Sequence, residues 1–459
     1  MLQTAKNYEQ SSDFAWNEGL SQANALEIYR ALSVGIEIQQ SPELGQLVRA
    51  SDSCTPIQRW FQYREGYTLE LCNRIFRSDE SLVVDPFCGF GSTLVAARRR
   101  GFASVGIDAN PLAAFVAKVK TRNYTRRTLD DIEVQIGALA RIRSGVRAEV
   151  PLLRIIEKVF HPEILDALLC LQSRILSFDN DKVRDFLLLG WIAILEDVSN
   201  VFREGNGIKY RNRIRNGNSY TVSPYEQWAA MRFPEDKFQF VKRKLVDQLK
   251  LMLEDIRAEK RSGAEPLVKH GDAEDLRDLV PSQGASLALF SPPYCNCFNY
   301  IKAYKVELWM SGFIRTYADI GKLTALGIRS RVESVLSPVV DPYPEEIDSL
   351  IGLMDPFGLW SAQLPEVIKG YFADMRSRLA TVYSILKPNG RCAIVVGNSA
   401  YAGVIIPSDL LLARTAETVG FKIEKIEVCR HLTTSSQQRR RLLPVKEYMR
   451  ESVIHLVRC

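Results

Sequence analysis

Two short stretches hold residue types whose spacing suits chemistry. In "LFSPPYCNCFNY", residues 289–300, an apolar run from Ala285 to Phe290, broken only by Ser286, stops at Ser291, and Pro292, Pro293 and Tyr294 follow. A polar atom, a backbone with locked φ and an aromatic face thus meet at the tip of a buried strand. A plain turn would use Pro-Gly or Asn-Gly and would need no tyrosine. In "VVDPFCGFGST", residues 83–93, Asp85, Pro86 and Phe87 lead into Gly89 and Gly91. A strand running into Gly-x-Gly lets backbone approach a ligand that side chains would block. A helix beginning near Ser92 aims its free N–H groups at that ligand. Sixteen residues separate Gly91 from Asp108 at the end of the next strand. An acid placed there accepts hydrogen bonds from ribose hydroxyls. A nicotinamide or flavin fingerprint would have a third glycine where Leu94 stands.

The flanking sequence supplies the elements that position these residues. "LVV" before Asp85 is a buried strand, "TLVAARRRG" a helix stopped by Gly101, "SVGID" a second strand, and "PLAAFVAKV" a second helix with Pro111 near its first turn. Strands alternating with helices predict an α/β fold, a doubly wound and mostly parallel sheet covered on both faces. From about 125 to 263 the strand signal fades. "LLRIIEKVF", "EILDALLCLQSRIL", "KVRDFLLLGWIAILEDV" and "KFQFVKRKLVDQLKLMLEDI" all have helical apolar spacing. Between the last two, "FREGNGIKYRNRIRNGNSYTVSPY" reads as one long basic loop rich in Gly and Asn. The α/β pattern resumes at "PLVKHGDAEDL" and "ASLALF", is irregular over about 313–362, and closes with the helix "VIKGYFADMRSRLATVYSIL" and the strands "RCAIVVGNS", "KIEKIEVCR" and "SVIHLVRC". The expected organisation is an arm over 1–50, an α/β domain in two parts, 51–125 and 264–459, and a large helical insertion over 126–263.

The acid-Pro-Phe prefix, the glycine turn and Asp108 together resemble the S-adenosylmethionine-dependent methyltransferases, specifically the amino-methyltransferases of nucleic acids. Their first motif reads Asp-Pro-Phe-x-Gly-x-Gly-[Ser/Thr]. Their second, [Asp/Asn/Ser]-Pro-Pro-[Tyr/Phe] at the end of the fourth strand, is matched by Ser291-Pro292-Pro293-Tyr294. The resemblance implies the class I Rossmann-like fold and S-adenosyl-L-methionine as cofactor. Asp85, Pro86, Phe87, Gly89, Gly91, Ser92 and Asp108 would hold that cofactor, with Asp85 facing its methionine end. Asp272 in "HGDAEDL" would contact the adenine ring, although an aspartate there also suits a helix N-cap. Ser291 and the Pro292 carbonyl would accept hydrogen bonds from an exocyclic amine, Pro293 would stiffen the turn, and Tyr294 would stack on the base. An aromatic amine is a poor nucleophile because its lone pair is delocalised. Two acceptors on its hydrogens favour a pyramidal nitrogen, so most of the rate comes from positioning and electrostatics. The Pro-Cys dipeptide of carbon-5 cytosine methyltransferases is absent, and Cys295 and Cys297 read as packing thiols.

"IQRWFQYREGY", "NYIKAYKVELW" and "GNSAYAGVIIPSDLLL" are similar to segments of a subset of bacterial DNA methyltransferases, so the likeness spans about 55–130 and 265–459. Two departures stand out. The cofactor motif precedes the Ser-Pro-Pro-Tyr motif, the reverse of many serine-type cytosine enzymes, and the main insertion falls before Asp272. Family order therefore does not locate a recognition domain, and 126–263 is the candidate DNA-recognition region.

Chemistry on a base in a duplex requires flipping it out, at a cost of a few kcal/mol. Stacking on Tyr294 returns about 1–3 kcal/mol, and phosphate contacts must supply more. Lys209, Arg211, Arg213 and Arg215 in the basic loop, with Arg439, Arg440 and Arg441 in "SSQQRRRL", are the candidate nucleic-acid contacts. Serine ahead of Pro-Pro-Tyr favours the cytosine N4 amine by family correlation, while a hydroxyl serves adenine as well. Methylation of an RNA guanine amine, and a catalytically inert nucleic-acid-binding regulator, are the other readings. DNA is the expected partner, with a cognate restriction endonuclease where the enzyme is one half of such a pair. A monomer or weak dimer is expected.

Composition agrees with a globular chain: 459 residues, 46% hydrophobic, 25% charged, net charge +6. The positive balance mildly favours a polyanionic partner. Nine cysteines without metal-ligand spacing and four scattered histidines point to a reduced, cytoplasmic protein without a bound metal. No basic-then-apolar leader opens the chain. "FLLLGWIAIL", flanked by charges, is too short to span a bilayer and reads as a buried core helix.

Overall fold

The computed structural model describes residues 17–49, 54–61, 66–204, 207–216, 219–259, 263–334, 339, 341–434 and 436–459. Eight strands form the central sheet: β1 (Ile38–Gln40), β2 (Leu82–Asp85), β3 (Ala103–Asp108), β4 (Leu267–His270), β5 (Ala285–Phe290), β6 (Leu386–Gly397), β7 (Phe421–His431) and β8 (Arg450–Arg458). Their spatial order is β1-β7-β8-β6-β5-β2-β3-β4. Neighbours run parallel except at β8, which is antiparallel to both β6 and β7. From β2 the chain winds outward through β3 to β4, then returns to β5 on the other side of β2. The order reverses between β2 and β5, and in such sheets ligands bind beyond the carboxyl ends of the strands at that switch point. This is the class I, Rossmann-like architecture expected from the sequence, with the short β1 added at one edge.

Period-2 patterning explains why the sheet is buried on both faces. Val83, Leu287, Leu289, Ala393 and Val395 enter one core, while Val84, Ala288, Phe290, Ile394 and Val396 enter the other. The second core is covered by helices Glu18–Ser33, Leu364–Ile385 and Ser408–Val419. The first is covered by Ser92–Arg99 and Pro111–Thr121 and by the insertion helices Arg126–Arg141, Pro162–Leu176, Asp181–Ala193 and Lys237–Ala258. The insertion therefore shares one continuous core with the sheet. Asp255 on its last helix accepts from the Ile57 amide (3.1 Å), Arg59 Nε (2.9 Å) and Trp60 Nε1 (3.0 Å), tying it to the segment before β2. The "FLLLGWIAIL" stretch lies in a helix whose Phe186, Leu187, Leu189, Trp191 and Ile192 are fully buried. No helix among the described residues is long and apolar enough to cross a membrane.

Two expectations need correction. The basic stretch is two hairpins, Val201–Glu204 with Gly207–Tyr210 and Arg213–Asn216 with Ser219–Val222, rather than one loop. Gly and Asn at both turns, with polar and apolar residues alternating beside them, are the ordinary hairpin signal. "LLRIIEKVF" forms only a four-residue helix, Ile156–Val159.

Candidate active site

Parallel pairing of β2 with β5, Val84 opposite Ala288, sets the Asp85 turn and the Ser291 turn side by side at one end of the sheet. Between them opens a cleft whose wall includes Pro86, Phe87, Gly89, Phe90 and Ser92 from the first turn and Ser291 and Pro293 from the second. Asp108 and Asp272, which follow β3 and β4, complete the wall beside the first turn.

Asp108 bonds at both carboxylate oxygens. One accepts from the Gly89 amide and the other from the Asn110 amide, each at 2.8 Å, so the acid pins the glycine turn to the end of β3. Burial pushes its pKa up to about 6, against those two amides. Asp272 stands where both of its roles meet. It lines the cleft, and Oδ1 accepts from the Glu274 amide at 2.8 Å as an N-cap. Its Oδ2 pairs with Arg378 at 2.8 Å, and Arg378 also lines the cleft.

Asp85 lies beneath the wall rather than on it, only 1% exposed. Its Oδ1 accepts from the Phe87 amide at 3.0 Å, and Tyr67, a wall residue, donates its hydroxyl to Oδ2 at 3.4 Å. Burial raises its pKa from 3.8 to about 7, more than the hydrogen bonds from Thr93, Phe87 and Tyr67 lower it, and the charge of Asp108 adds to the rise.

Gly91 departs from its expected role. It does not line the cleft. It has φ +87°, and a Cβ there would stand 3.1 Å from the Ala117 Cβ, so glycine lets the helix Pro111–Thr121 pack close. Ser92 stays at the wall, its Oγ accepting from Gln58 Nε2 at 3.0 Å.

Pro292 is buried at the strand tip and is not part of the cleft wall. Tyr294 is half-buried beside the cleft and does not line it. Its hydroxyl donates to Glu451 Oε1 at 2.7 Å, and Arg430 Nε holds the other oxygen of that carboxylate at 2.5 Å. Burial, then the Glu451 charge, push the phenol well above its usual range. The ring lies close on Gly397 at the end of β6, where a Cβ would be 2.8 Å from Tyr294 Cε2. The aromatic wall residue beyond the second turn is Tyr300. Cys295 is fully buried, with its carbonyl accepting from Tyr401 at 2.7 Å.

The far wall escaped the sequence reading. Leu323, Leu326, Gly327, Ile328, Ser330 and Arg331 come from the irregular stretch and face the cleft. The aromatic segment before β2 contributes Gly66 and Tyr67, and residues 62–65 of it lie outside the described residues. Tyr67 and Tyr300 stood in segments already singled out. The wall 323–331 carried no signal beyond "GIRSR".

The candidate nucleic-acid contacts divide. Arg213 is exposed over the Tyr210 ring, at 5.5 Å. Lys209 pairs across its hairpin with Glu204 at 2.7 Å. Arg211 turns inward: Nε donates to the Val201 carbonyl at 3.1 Å and its guanidinium sits over Phe202. It braces its hairpin, with its side chain only partly exposed. The Arg215 side chain lies outside what is described. Arg439 and Arg440 are exposed. Arg441 is half-buried and pairs with Asp355 at 3.0 Å.

The donor set suits a nucleoside with a charged tail: carboxylates at two strand ends, turn amides, an apolar wall of Ile301, Leu323, Leu326 and Ile328, and a buried acid beneath. Comparison with known proteins points the same way. No family model matches the chain. It is similar to the Type II methyltransferase M.AvaI of Nostoc sp., 24% identical over 407 residues, covering 81% of this chain and 80% of that one. It is likewise similar to the Type II methyltransferase M.BsoBI of Geobacillus stearothermophilus, 24% identical over 428 residues, covering 83% and 82%. Among solved structures, the rRNA methyltransferase aviRa of Streptomyces viridochromogenes covers 85% of each chain at 9% identity with a TM-score of 0.25, too loose a match to add to the strand order.

Proposed function

We propose that the protein is a DNA methyltransferase that transfers a methyl group from S-adenosyl-L-methionine to the exocyclic amine of a flipped base, most favourably cytosine N4. The observation that carries this is the adjacency of β2 and β5 at the switch point, which opens the Asp85–Ser92 turn and the Ser291–Tyr294 turn into one cleft. When bound, S-adenosyl-L-methionine supplies a methyl group on a sulfonium centre, ready for direct displacement. Asp108 and the glycine turn hold the ribose, Asp272 and the apolar wall hold the adenine, and Asp85, beneath the wall, backs the turn and Tyr67 on the side of the cationic tail. Ser291 Oγ and the Pro292 carbonyl accept the amine hydrogens and aim its lone pair. The tied hydroxyl of Tyr294 fixes its ring at the edge of the cleft, where it or Tyr300 stacks on the base. Arg213, Arg439 and Arg440 are the candidate phosphate contacts.

The likeness to Type II methyltransferases, over about four-fifths of each chain, supports DNA as substrate, and a restriction endonuclease is the companion proposed with it. Cytosine rests on the serine ahead of Pro-Pro-Tyr; an adenine amine would fit the same acceptors. Incubation with labelled cofactor and unmethylated DNA or RNA, followed by mass spectrometry of the digested nucleosides, tests the reading. N4-methylcytosine in DNA is expected. N6-methyladenine would correct the base, a label confined to RNA would correct the substrate, and no transfer to either would overturn the proposal.

A further inference from the structure

Arginines are seldom buried without an acid, because a desolvated guanidinium is costly unless its charge is matched. Among the buried arginines, Arg122 pairs with Asp185 and Arg450 with Asp409, and Arg98 donates instead to the Thr121 and Arg122 carbonyls and to Asn123 Oδ1. The half-buried Arg203 and Arg391 pair with Glu196 and Glu307 and with Glu80. Among the described residues Arg331 has neither an acid at ion-pair distance nor a backbone carbonyl. It is 7% exposed and lies in the cleft wall. Its Nη1 donates to the neutral Asn299 Oδ1 at 3.3 Å, its buried Nε has no partner, and no carboxylate among the described residues lies in ion-pair range. Glu333, two residues on, acts on Arg331 through its charge without pairing with it, and its carboxylate is bonded to Lys302 at 2.6 Å. The other cleft arginine, Arg378, is already matched by Asp272 and Glu274.

We infer that Arg331 receives the carboxylate of the cofactor's amino-acid end, as the cleft arginine whose charge no side-chain carboxylate among the described residues meets at ion-pair distance. This rests on the cofactor reading above. The sulfonium carries no acceptor and the ribose is met by Asp108, so the tail carboxylate is the cofactor group that calls for a buried cation.

Two thioethers separate the roles. S-adenosylhomocysteine keeps the amino-acid end and 5′-methylthioadenosine lacks it. Calorimetric titration of both into the full chain, wild type, Arg331→Met and Arg331→Lys, is the test. Arg331→Met should weaken S-adenosylhomocysteine about ten- to hundredfold, the weight of a charge-assisted hydrogen bond, and leave 5′-methylthioadenosine within about twofold. Arg331→Lys should recover part of the loss. Without ligand, Arg331→Met should melt no lower than wild type, since it removes a buried charge that lacks a carboxylate. Equal losses for both ligands, or no loss for S-adenosylhomocysteine, overturn the inference. If Arg331→Met does not fold, the Arg331→Lys ratio between the two ligands decides. Should the wild type bind neither thioether, the cofactor reading fails first.

Discussion

Replacing Asp85 with asparagine should stabilise the ligand-free protein, and more so as pH rises. The carboxyl is buried, and its pKa climbs from 3.8 to about 7. Between those values the folded state binds more protons than the unfolded one. Stability contributed by the neutral acid is therefore complete below about pH 4, lost progressively up to about pH 7, and flat above. The whole gap corresponds to on the order of 4 kcal/mol. Asparagine keeps the acceptor for the Phe87 amide and presents an amide nitrogen to Tyr67. Denaturant unfolding of both proteins at pH 5, 6.5 and 8, followed by tryptophan fluorescence, should show the variant's advantage widening by roughly 2–3 kcal/mol from pH 5 to pH 8. Asp108, raised to about 6, gives both proteins a common slope that cancels in the difference. An offset that stays constant across this range would refute the argument that Asp85 carries an unfavourable buried charge above neutral pH.

Asp108→Ala should weaken cofactor binding by calorimetry about ten- to hundredfold, because it removes the ribose acceptor and frees the Gly89 turn. Ser291→Ala should lower turnover at least about tenfold with cofactor affinity unchanged, as expected for a group that meets only the amine. Replacing Arg213, Arg439 and Arg440 with alanine should flatten the slope of log DNA affinity against log salt by up to about 2.7. Arg211→Ala should instead cost about 1 kcal/mol of stability by removing its bond to the Val201 carbonyl, which Ser199 Oγ still meets at 3.1 Å, with the salt slope held.

Legibility in the sequence followed how local each determinant was. The turn "DPFCGFGS" and the strands beside it were readable because hydrophobic period, glycine turn and capping agree within a dozen residues. β1 was not, since a three-residue edge strand is specified by its partner, Ile38 opposite Ile426, and not by its own pattern. Asp108 was found by its place at a strand end, yet its clamp on Gly89 required seeing which amide it meets. Gly91 was credited to the ligand when Ala117, on a helix packed across it, is the reason for glycine. Glu451 behind Tyr294 lies 157 residues away from it, beyond any local motif. The hairpins over 201–222 are the one place where an available signal was passed over.

The strand order also bears on how the protein is made. β5, β2, β3 and β4 are side by side and all emerge by Phe290, so the floor of the cofactor side can assemble while the ribosome is still translating. The opposite half cannot. β6, β7 and β8 emerge last, and the early helix Glu18–Ser33 waits for them, its Tyr29 hydroxyl held by Ile405, 376 residues downstream. β2 until β5 emerges, and β5 from then until β6, thus present an unpaired edge, the hazard typical of non-local sheets. A nascent chain halted near residue 300 should capture cofactor-like nucleosides weakly and seek chaperones strongly. Tyr294 gains its seat on Gly397 and its anchor at Glu451 only when the final strands arrive, so competence at the base side is acquired last.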